Sequence, residues 1–245
     1  MSLPALRRTL RRMLALLLLL LPLALLLPGG AALAQISGSA TLVSDYRYRG
    51  ISLSDGKAQA QFNLDYASRQ GWYAGLFASG VALPGAGAGQ QLTAYTGYAR
   101  RSLAGLSWEC GLSDSVFRSL PTYNYGEAFL GIASEHVNAR LFYAPNYFGE
   151  RKGTLYGELN GSYLLAGPVH LLAHAGLLHS IARQAASALA PQSRRDVRLG
   201  LSVDGADWKL QLAWLSTHET RLIQPYDEVR TAPLRALFLS AATTF

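Results

Sequence analysis

Hydrophobic and polar residues alternate with a period of two along most of the chain beyond residue 35, and this pattern limits the fold more than any other feature. The clearest example covers residues 58–66, and in the first segment Ala40, Leu42, Tyr46 and Tyr48 share the apolar face. Alternation of this kind puts apolar side chains on one face of a β-strand and polar side chains on the other. Each segment is about ten residues long, which is the length of a tilted strand that crosses a membrane in an outer-membrane barrel.

Twelve segments show the pattern, and they predict an all-β, transmembrane, antiparallel up-and-down barrel of about 12 strands in one domain, residues 35–245. Half of the residues are hydrophobic and 15% are charged, which excludes a disordered chain. A single cysteine excludes an internal disulfide framework. The predicted strands cover residues 36–49, 57–67, 72–83, 91–101, 106–117, 124–134, 137–148, 154–164, 168–179, 195–204, 207–217 and 233–245.

Short and long connections alternate between these segments. Outer-membrane barrels sort their connections in this way, with short periplasmic turns and long extracellular loops, whereas a soluble β-sandwich has no reason to do so. We therefore expect both termini on the periplasmic side. The short connections lie near residues 68–71, 102–105, 135–136, 165–167 and 205–206, and the long ones near 50–56, 84–90, 118–123, 149–153, 180–194 and 218–232.

Aromatic residues flank the predicted short turns on the apolar faces of the strands. A girdle of aromatic side chains at the membrane interface is placed in this way, whereas the core of a sandwich would not concentrate them at one end. Phe245 ends the last amphipathic segment and is typical of strands that the barrel assembly machinery recognises. The candidate girdle residues are Tyr66, Trp72, Tyr98, Trp108, Tyr163 and Trp208.

Residues 1–34 have the layout of a secretory signal peptide, with a retained anchor as the alternative. Four arginines precede an apolar run over residues 13–27, and Ala32-Leu33-Ala34 offers a cleavage site. Cleavage lowers the formal net charge from +7 to +3, which weakens any argument for a nucleic-acid partner. Export predicts the outer membrane of a Gram-negative bacterium, with membrane lipid, lipopolysaccharide, periplasmic chaperones and the barrel assembly machinery as partners.

Two stretches of sequence resemble the proteobacterial TorF-type porin family, also called Gcw_chp. One is Val43-Ser44-Asp45-Tyr46-Arg47-Tyr48-Arg49-Gly50-Ile51-Ser52 with Ser54-Asp55-Gly56-Lys57, and 64–66 and 71–75 add to it. The other is Leu141-Phe142-Tyr143-Ala144-Pro145-Asn146-Tyr147-Phe148. The resemblance is strong over residues 36–80 and moderate over 137–164. It implies an outer-membrane barrel with channel activity.

The polar faces of the strands define the expected lumen. Asp45, Arg47 and Arg49 are expected at the outer end of the first strand, either as a charged filter or as a network that holds the first hairpin in register. The wall carries similar numbers of basic and acidic residues, which predicts no strong ion preference. Tyr156, Arg140 and Phe129 are large enough to narrow the lumen. The candidate lumen and mouth residues are Asp45, Arg47, Arg49, Gln59, Gln61, Asn63, Asp65, Glu109, Glu127, Arg140, Glu158, Asn160, His170, His174 and Arg198.

No arrangement of residues indicates a cofactor or a catalytic centre. His170 and His174 share a strand face about 13 Å apart, too far to bind one metal ion, so lumenal hydrogen bonding is expected. The sequence has none of the common hydrolase motifs. The predicted function is passive diffusion of small polar solutes or ions. A non-conducting structural barrel, an outer-membrane barrel hydrolase and a soluble periplasmic β-protein are the alternatives.

Overall fold

The computed structural model describes residues 35–83, 87–102, 105–149, 153–181, 193–219 and 234–245. In these residues twelve antiparallel strands close into a barrel, which confirms the predicted fold class and strand number. The predicted signal segment, residues 1–34, lies outside the described part and remains a prediction. Within the described residues, no helix has both the length and the apolar character needed to cross a membrane.

The strands alternate in direction and follow one another around the barrel in chain order. Two further strands, β2 and β3, pair only with each other and form a separate small hairpin. The fourteen strands are β1 (Gln35–Val43), β2 (Arg47–Tyr48), β3 (Ile51–Ser52), β4 (Gln59–Ala67), β5 (Trp72–Leu83), β6 (Gly87–Arg101), β7 (Ser107–Arg118), β8 (Tyr125–Ala133), β9 (Val137–Ala144), β10 (Gly153–Ala166), β11 (Val169–Ile181), β12 (Ser193–Asp204), β13 (Trp208–Glu219) and β14 (Arg235–Thr244).

The barrel closes where β1 pairs with β14, from Ser39 opposite Thr244 to Val43 opposite Ser240. Phe245 extends this ladder, because its backbone exchanges two hydrogen bonds with Gly38. On its other side β1 pairs with β4 along its whole length. Every barrel strand in the described chain therefore has two neighbours, and no sheet edge is left open.

Short connections lie at one end of the barrel, the turn end, and longer ones at the other, the loop end. At the turn end the strands are joined by residues 68–71, 102–106, 134–136, 167–168 and 205–207. At the loop end, the loop expected over 84–90 is shorter, because β6 already begins at Gly87. Gly87 and Gly89 pair with Leu83 and Val81, so the backbone ladder continues where side chains give no strand pattern.

The outside of the barrel carries the apolar half of the alternation. Leu159, Leu199 and Leu212 are each about half exposed, and many other leucines are similarly exposed. Of the six candidate girdle residues, five are exposed on this surface near the turn end, from Tyr66 at 37% to Trp72 and Tyr163 at 59%. Tyr98 is half-buried because it packs between Trp72 and Trp108, with ring centroids 5.2 and 5.7 Å away.

The first strand is shorter than the sequence predicted, and this changes the inside of the barrel. β1 ends at Val43, and residues 44–58, which we call the lumenal hairpin, turn inwards before β4 begins. Tyr46 is therefore buried inside the barrel and does not lie on the lipid-facing side of a strand. The apolar core lies in the loop-end half and includes Val43, Tyr46, Ile51, Leu53, Val81, Leu83, Phe117, Tyr125, Ala144, Tyr147, Phe148, Tyr156, Leu178, Ala213, Leu215 and Phe238.

Candidate functional site

The lumenal hairpin is fastened to strands on several sides of the barrel. The backbone N–H of Ala82 in β5 donates to the carbonyl of Leu53 at 2.8 Å, and the Tyr46 hydroxyl donates to Gln91 of β6 at 3.0 Å. Across the lumen, the Thr217 hydroxyl of β13 donates to the Gly50 carbonyl at 2.5 Å. These bonds hold the hairpin across the lumen instead of leaving it as a surface loop.

Asp45 organises the hairpin itself. Its carboxylate accepts hydrogen bonds from the hydroxyls of Ser52 and Ser54, the latter at 2.9 Å, and from Arg47 Nε at 2.6 Å. All of these groups are nearly buried, so each of them needs a partner inside the protein. The sequence placed Asp45, Arg47 and Arg49 on the first barrel strand, but the structure places them on the lumenal hairpin.

Arg49 forms a buried ion pair with Glu127 of β8. Its Nη1 and Nη2 donate to the two carboxylate oxygens at 2.6 and 2.9 Å, and both side chains are only 4% exposed. The Tyr48 hydroxyl also donates to Glu127, at 3.2 Å. A two-pronged guanidinium–carboxylate pair of this kind combines charge with fixed geometry, and it ties the hairpin to the far wall.

Four aromatic rings surround the Arg49 guanidinium, and we call them the Arg49 cage. Burial raises the pKa of Tyr147 to about 12, although the charge of Arg49 lowers it, so the phenol stays neutral at physiological pH. The cage therefore offers ring faces, which attract a cation, while the negative charge comes from Glu127. The distances from the guanidinium carbon to the ring centroids are 4.5 Å for Tyr156, 4.7 Å for Tyr48, 4.8 Å for Phe142 and 5.2 Å for Tyr147.

The backbone at Arg49 and Gly50 makes the sharp turn that carries the guanidinium to the cage. Arg49 has φ +48° and Gly50 has φ +84°, both in the left-handed region. A non-glycine residue there costs roughly 1 to 3 kcal/mol, which the contacts of Arg49 offset. A side chain on Gly50 would collide with Asp196 and Thr217, so glycine is needed on steric grounds as well.

The two sequence stretches that resemble the Gcw_chp family meet at this cage. Arg49 and Tyr48 come from the first stretch, and Phe142 and Tyr147 come from the second. The rings of Tyr48 and Phe148 also lie 6.5 Å apart. Arg49 and Phe142 are 93 positions apart in the chain. Their contact indicates that the residues typical of the family form a single site inside the barrel.

A cavity of about 360 Å³ lies beside the Arg49 cage within the lumen. Its lining includes Arg49, Phe142, Tyr156, Glu158 and Arg198. Arg198 makes no hydrogen bond or ion pair with the described residues, and its guanidinium lies 5.9 Å from the Phe238 ring. A second cavity of about 280 Å³, towards the turn end, shares Asn160, His174 and Arg198 with the first.

His174 joins these cavities through a hydrogen-bonded chain across β9 to β12. Its Nδ1 lies 2.6 Å from Asn160 Oδ1, and its Nε2 lies 2.8 Å from Asp196 Oδ1. The amide of Asn160 donates to Asn138 at 3.1 Å and to Glu158 at 3.3 Å, which orients its oxygen towards the histidine. Both ring nitrogens of His174 therefore face acceptor oxygens, and the side chain has a structural partner on each side.

Polar groups also line the turn-end half of the lumen. Glu109 accepts hydrogen bonds from Arg140 Nε at 2.6 Å and from the Tyr73 hydroxyl at 2.8 Å. Asp65 accepts from Asn63 and from the Tyr95 hydroxyl. Nearer the loop end, the side chains of Gln61 and Ser79 lie within hydrogen-bonding distance, at 3.4 Å. Both Glu109 and Asp65 thus have polar partners inside the lumen.

The two candidate histidines lie against different carboxylates. His170 Nδ1 is 3.8 Å from Asp204, which also pairs with Lys209 at 2.9 Å, whereas His174 pairs with Asp196. Among the residues with described positions, no group of three or more His, Cys, Asp and Glu side chains is arranged to hold a metal ion.

The sequence identified Arg49 and Glu127 as lumenal but missed the aromatic cage that surrounds them. Tyr48 was placed on an outward strand face, and Phe142 and Tyr147 were noted only as part of the family resemblance. The signal that could have found the inward turn is a cluster of turn residues after position 49: Gly50, Ser52, Ser54, Asp55 and Gly56.

Comparisons with known proteins agree with the barrel. A family model described as "Bacterial protein of unknown function (Gcw_chp)" matches residues 28–235. The solved structure of the KdgM porin covers 87% of this chain and 99% of its own, with 11% identity and a TM-score of 0.50. The NanC porin covers 85% of this chain and 98% of its own, with 9% identity and a TM-score of 0.51. No curated protein sequence matches the chain.

Proposed function

This chain belongs to the Gcw_chp family, and on that premise we propose that it is an outer-membrane channel for passive diffusion of small polar solutes or ions. One observation carries the proposal: the closed barrel has apolar side chains on its outside and paired charges and cavities on its inside. An apolar outer surface of this kind is stable in contact with lipid, and a polar interior can replace the hydration of a small solute. The porin character implied by the TorF-type resemblance is part of this proposal.

The outer membrane is the proposed location, and the predicted signal peptide provides export. Lipid contacts the outer surface, and the exposed basic residues Arg195, His218 and Arg235 near the loop end favour contact with lipopolysaccharide phosphates. We also propose that periplasmic chaperones carry the chain and that the barrel assembly machinery recognises β14 with Phe245. No nucleic-acid partner is proposed.

The mechanism follows from the arrangement of the lumen. A solute that enters from the turn end meets paired carboxylates, amides and guanidinium groups, which replace part of its hydration shell without a covalent step. At the loop end the lumenal hairpin and its apolar core narrow the path. Passage therefore requires either a small solute or a displacement of the hairpin. The KdgM porin has also been solved in complex with disordered oligogalacturonate, so small carbohydrates are a class to include among the test solutes.

Planar-bilayer recording of the refolded protein tests the channel proposal. Addition of the folded barrel to one chamber is expected to produce discrete conductance steps. The control is the same preparation after heat denaturation, with folding checked by heat-modifiable mobility on gels. Folded protein that inserts into the bilayer but gives no steps above background would contradict the proposal.

A non-conducting structural barrel is the second candidate, and the apolar core inside the loop-end half is the observation that favours it.

An outer-membrane hydrolase is less well supported. A catalytic histidine needs one ring nitrogen free for the nucleophile, and both nitrogens of His174 face side-chain acceptors. Esterase or protease activity that a single Ser, His or Asp substitution abolishes would favour the hydrolase.

A further inference from the structure

The Arg49 cage has the composition of a binding site for a planar cation. It combines a buried carboxylate with four ring faces between 4.5 and 5.2 Å from the cation. A guanidinium group suits both parts, because it binds a carboxylate through two parallel hydrogen bonds and stacks on aromatic faces. By contrast, the Arg140 side chain that pairs with Glu109 in the lumen is 44% exposed.

The cation and its site come from different parts of the fold. Glu127, Phe142 and Tyr156 belong to the barrel strands β8, β9 and β10, and Tyr147 follows β9. Arg49 instead belongs to the lumenal hairpin, on a turn with left-handed backbone conformation. The carboxylate and three of the four rings would therefore keep their places if Arg49 left. Only Tyr48 would move with it.

Two buried phenol hydroxyls lie next to this site. The hydroxyls of Tyr125 and Tyr147 have no partner at good hydrogen-bond geometry among the described residues, although Tyr147 interacts with Arg49 and Tyr125 with Tyr48. Both rings are nearly inaccessible to solvent and pack edge-to-face within the same aromatic cluster, with centroids 5.1 Å apart. A phenol oxygen keeps acceptor capacity in such an arrangement, so both hydroxyls offer acceptors for the additional N–H groups of a small cation.

The cavity of about 360 Å³ leads to the site, because Arg49, Phe142 and Tyr156 form part of its lining. The same lining includes the carboxylates of Glu158 and Asp196. A cationic solute that enters the lumen from the turn end would therefore reach the cage where Arg49, Phe142 and Tyr156 line the cavity. Its size is limited to a few tens of atoms by the cavity.

We propose that the Arg49 cage is a binding site for guanidinium-bearing solutes, and that the chain fills it with its own Arg49 when the lumenal hairpin closes the barrel. This inference rests on the proposed channel function for the way in which a solute arrives. A solute with a guanidinium group competes with Arg49 for Glu127 and the rings, and it releases the hairpin on binding. Neutral or anionic solutes of the same size have no such effect.

The test is chemical rescue of the Arg49→Ala variant in detergent solution. Removal of the side chain leaves Glu127 and the rings without a cation, so methylguanidinium is expected to bind saturably and to raise the unfolding temperature. Methylurea has the same shape without the charge and is expected to do neither. Calorimetric titration measures the binding, and tryptophan fluorescence follows unfolding.

Two variants serve as controls. Arg140→Ala leaves a carboxylate, Glu109, outside an aromatic cage and is expected to bind no methylguanidinium. The double variant Arg49→Ala, Glu127→Gln keeps the rings and removes the negative charge, and it is also expected to lose binding. Equal binding of methylguanidinium and methylurea, or equal binding by Arg49→Ala and Arg140→Ala, would overturn the proposal, as would the absence of binding to folded Arg49→Ala.

Folding provides a second measurement. If Arg49→Ala refolds only when methylguanidinium is present, and not with methylurea, the result supports the proposal. If it refolds with neither, the wild-type protein decides: methylguanidinium must lower its resistance to proteolysis within residues 44–58, and methylurea must not. All of these readouts are independent of conductance, so a barrel that never conducts can still bind the cation, and a conducting barrel can fail to bind it.

Discussion

Two arginine–glutamate pairs inside the same barrel should differ in how much stability is lost when one residue of the pair is replaced. In Arg49–Glu127 both side chains are 4% exposed, whereas in Arg140–Glu109 they are 44% and 19% exposed. The nitrogen–oxygen distances are the same, 2.6 Å. Geometry alone therefore does not separate the pairs, but burial does, because a buried charge without its partner keeps the full desolvation cost.

The substitution Glu127→Gln should destabilise the barrel by about 3 to 5 kcal/mol, because Arg49 stays buried without a counter-charge. The matched substitution Glu109→Gln should cost less than about 1 kcal/mol, since water solvates Arg140. Reversible urea unfolding in lipid vesicles, followed by tryptophan fluorescence, measures both values. Equal losses of unfolding free energy for the two variants would show that the Arg49 cage is not isolated from water.

Sequence reasoning identified these charged residues as lumenal but could not assign their partners. Arg49 and Glu127 are separated by 78 residues, and nothing in a single sequence reports such a contact. The alternation rule places a side chain on a face only while the chain stays extended. Arg140 and Glu158 lie within strands, where the rule applies, whereas Tyr46 and Tyr48 lie beyond the end of β1, where it fails.

At the scale of elements, the lumenal hairpin is an insertion between two strands that already pair completely. Val43 at the end of β1 lies opposite Gln59 at the start of β4, so a tight turn could join them. The fifteen residues from 44 to 58 instead enter the lumen and contribute Tyr46, Ile51 and Leu53 to the apolar core. The hairpin therefore narrows the lumen and is not needed to close the barrel.

Replacement of residues 45–57 by a Gly-Ser-Gly linker should leave the barrel folded and raise the single-channel conductance severalfold, because it removes the material that narrows the loop end. Planar-bilayer recording gives the conductance, and heat-modifiable mobility reports folding. The control replaces the turn residues Gly167 and Pro168 at the opposite end by Asn-Gly, which should leave conductance unchanged. An unaltered conductance in a folded variant without the hairpin would place the constriction elsewhere.

The whole molecule reverses the usual distribution of polar and apolar residues, and the sequence predicted this from alternation and connection lengths. Strand number and most strand bounds agree within a few residues, because a period of two reports the two faces of each strand directly. The start of β6 at Gly87 and the end of β1 at Val43 were not predicted. In both places backbone pairing or tertiary packing, and not side-chain pattern, decides where the strand stops.

Position along the membrane normal gives the last prediction. Leu159 in the middle of β10 faces outwards, and Leu165, in the irregular part of the strand near its turn end, has almost equal exposure, 51% against 52%. In water the substitutions Leu159→Arg and Leu165→Arg would therefore have similar effects. In a bilayer, arginine should cost about 2 to 4 kcal/mol at the midplane and about 0 to 1 kcal/mol near the interface.

Unfolding free energies in lipid vesicles compare the two variants, and Asn160→Ala on the lumen face of the same strand serves as a control for local disruption. A clearly larger loss for Leu159→Arg would support a membrane centred on the barrel, whereas equal losses would argue against a spanning orientation.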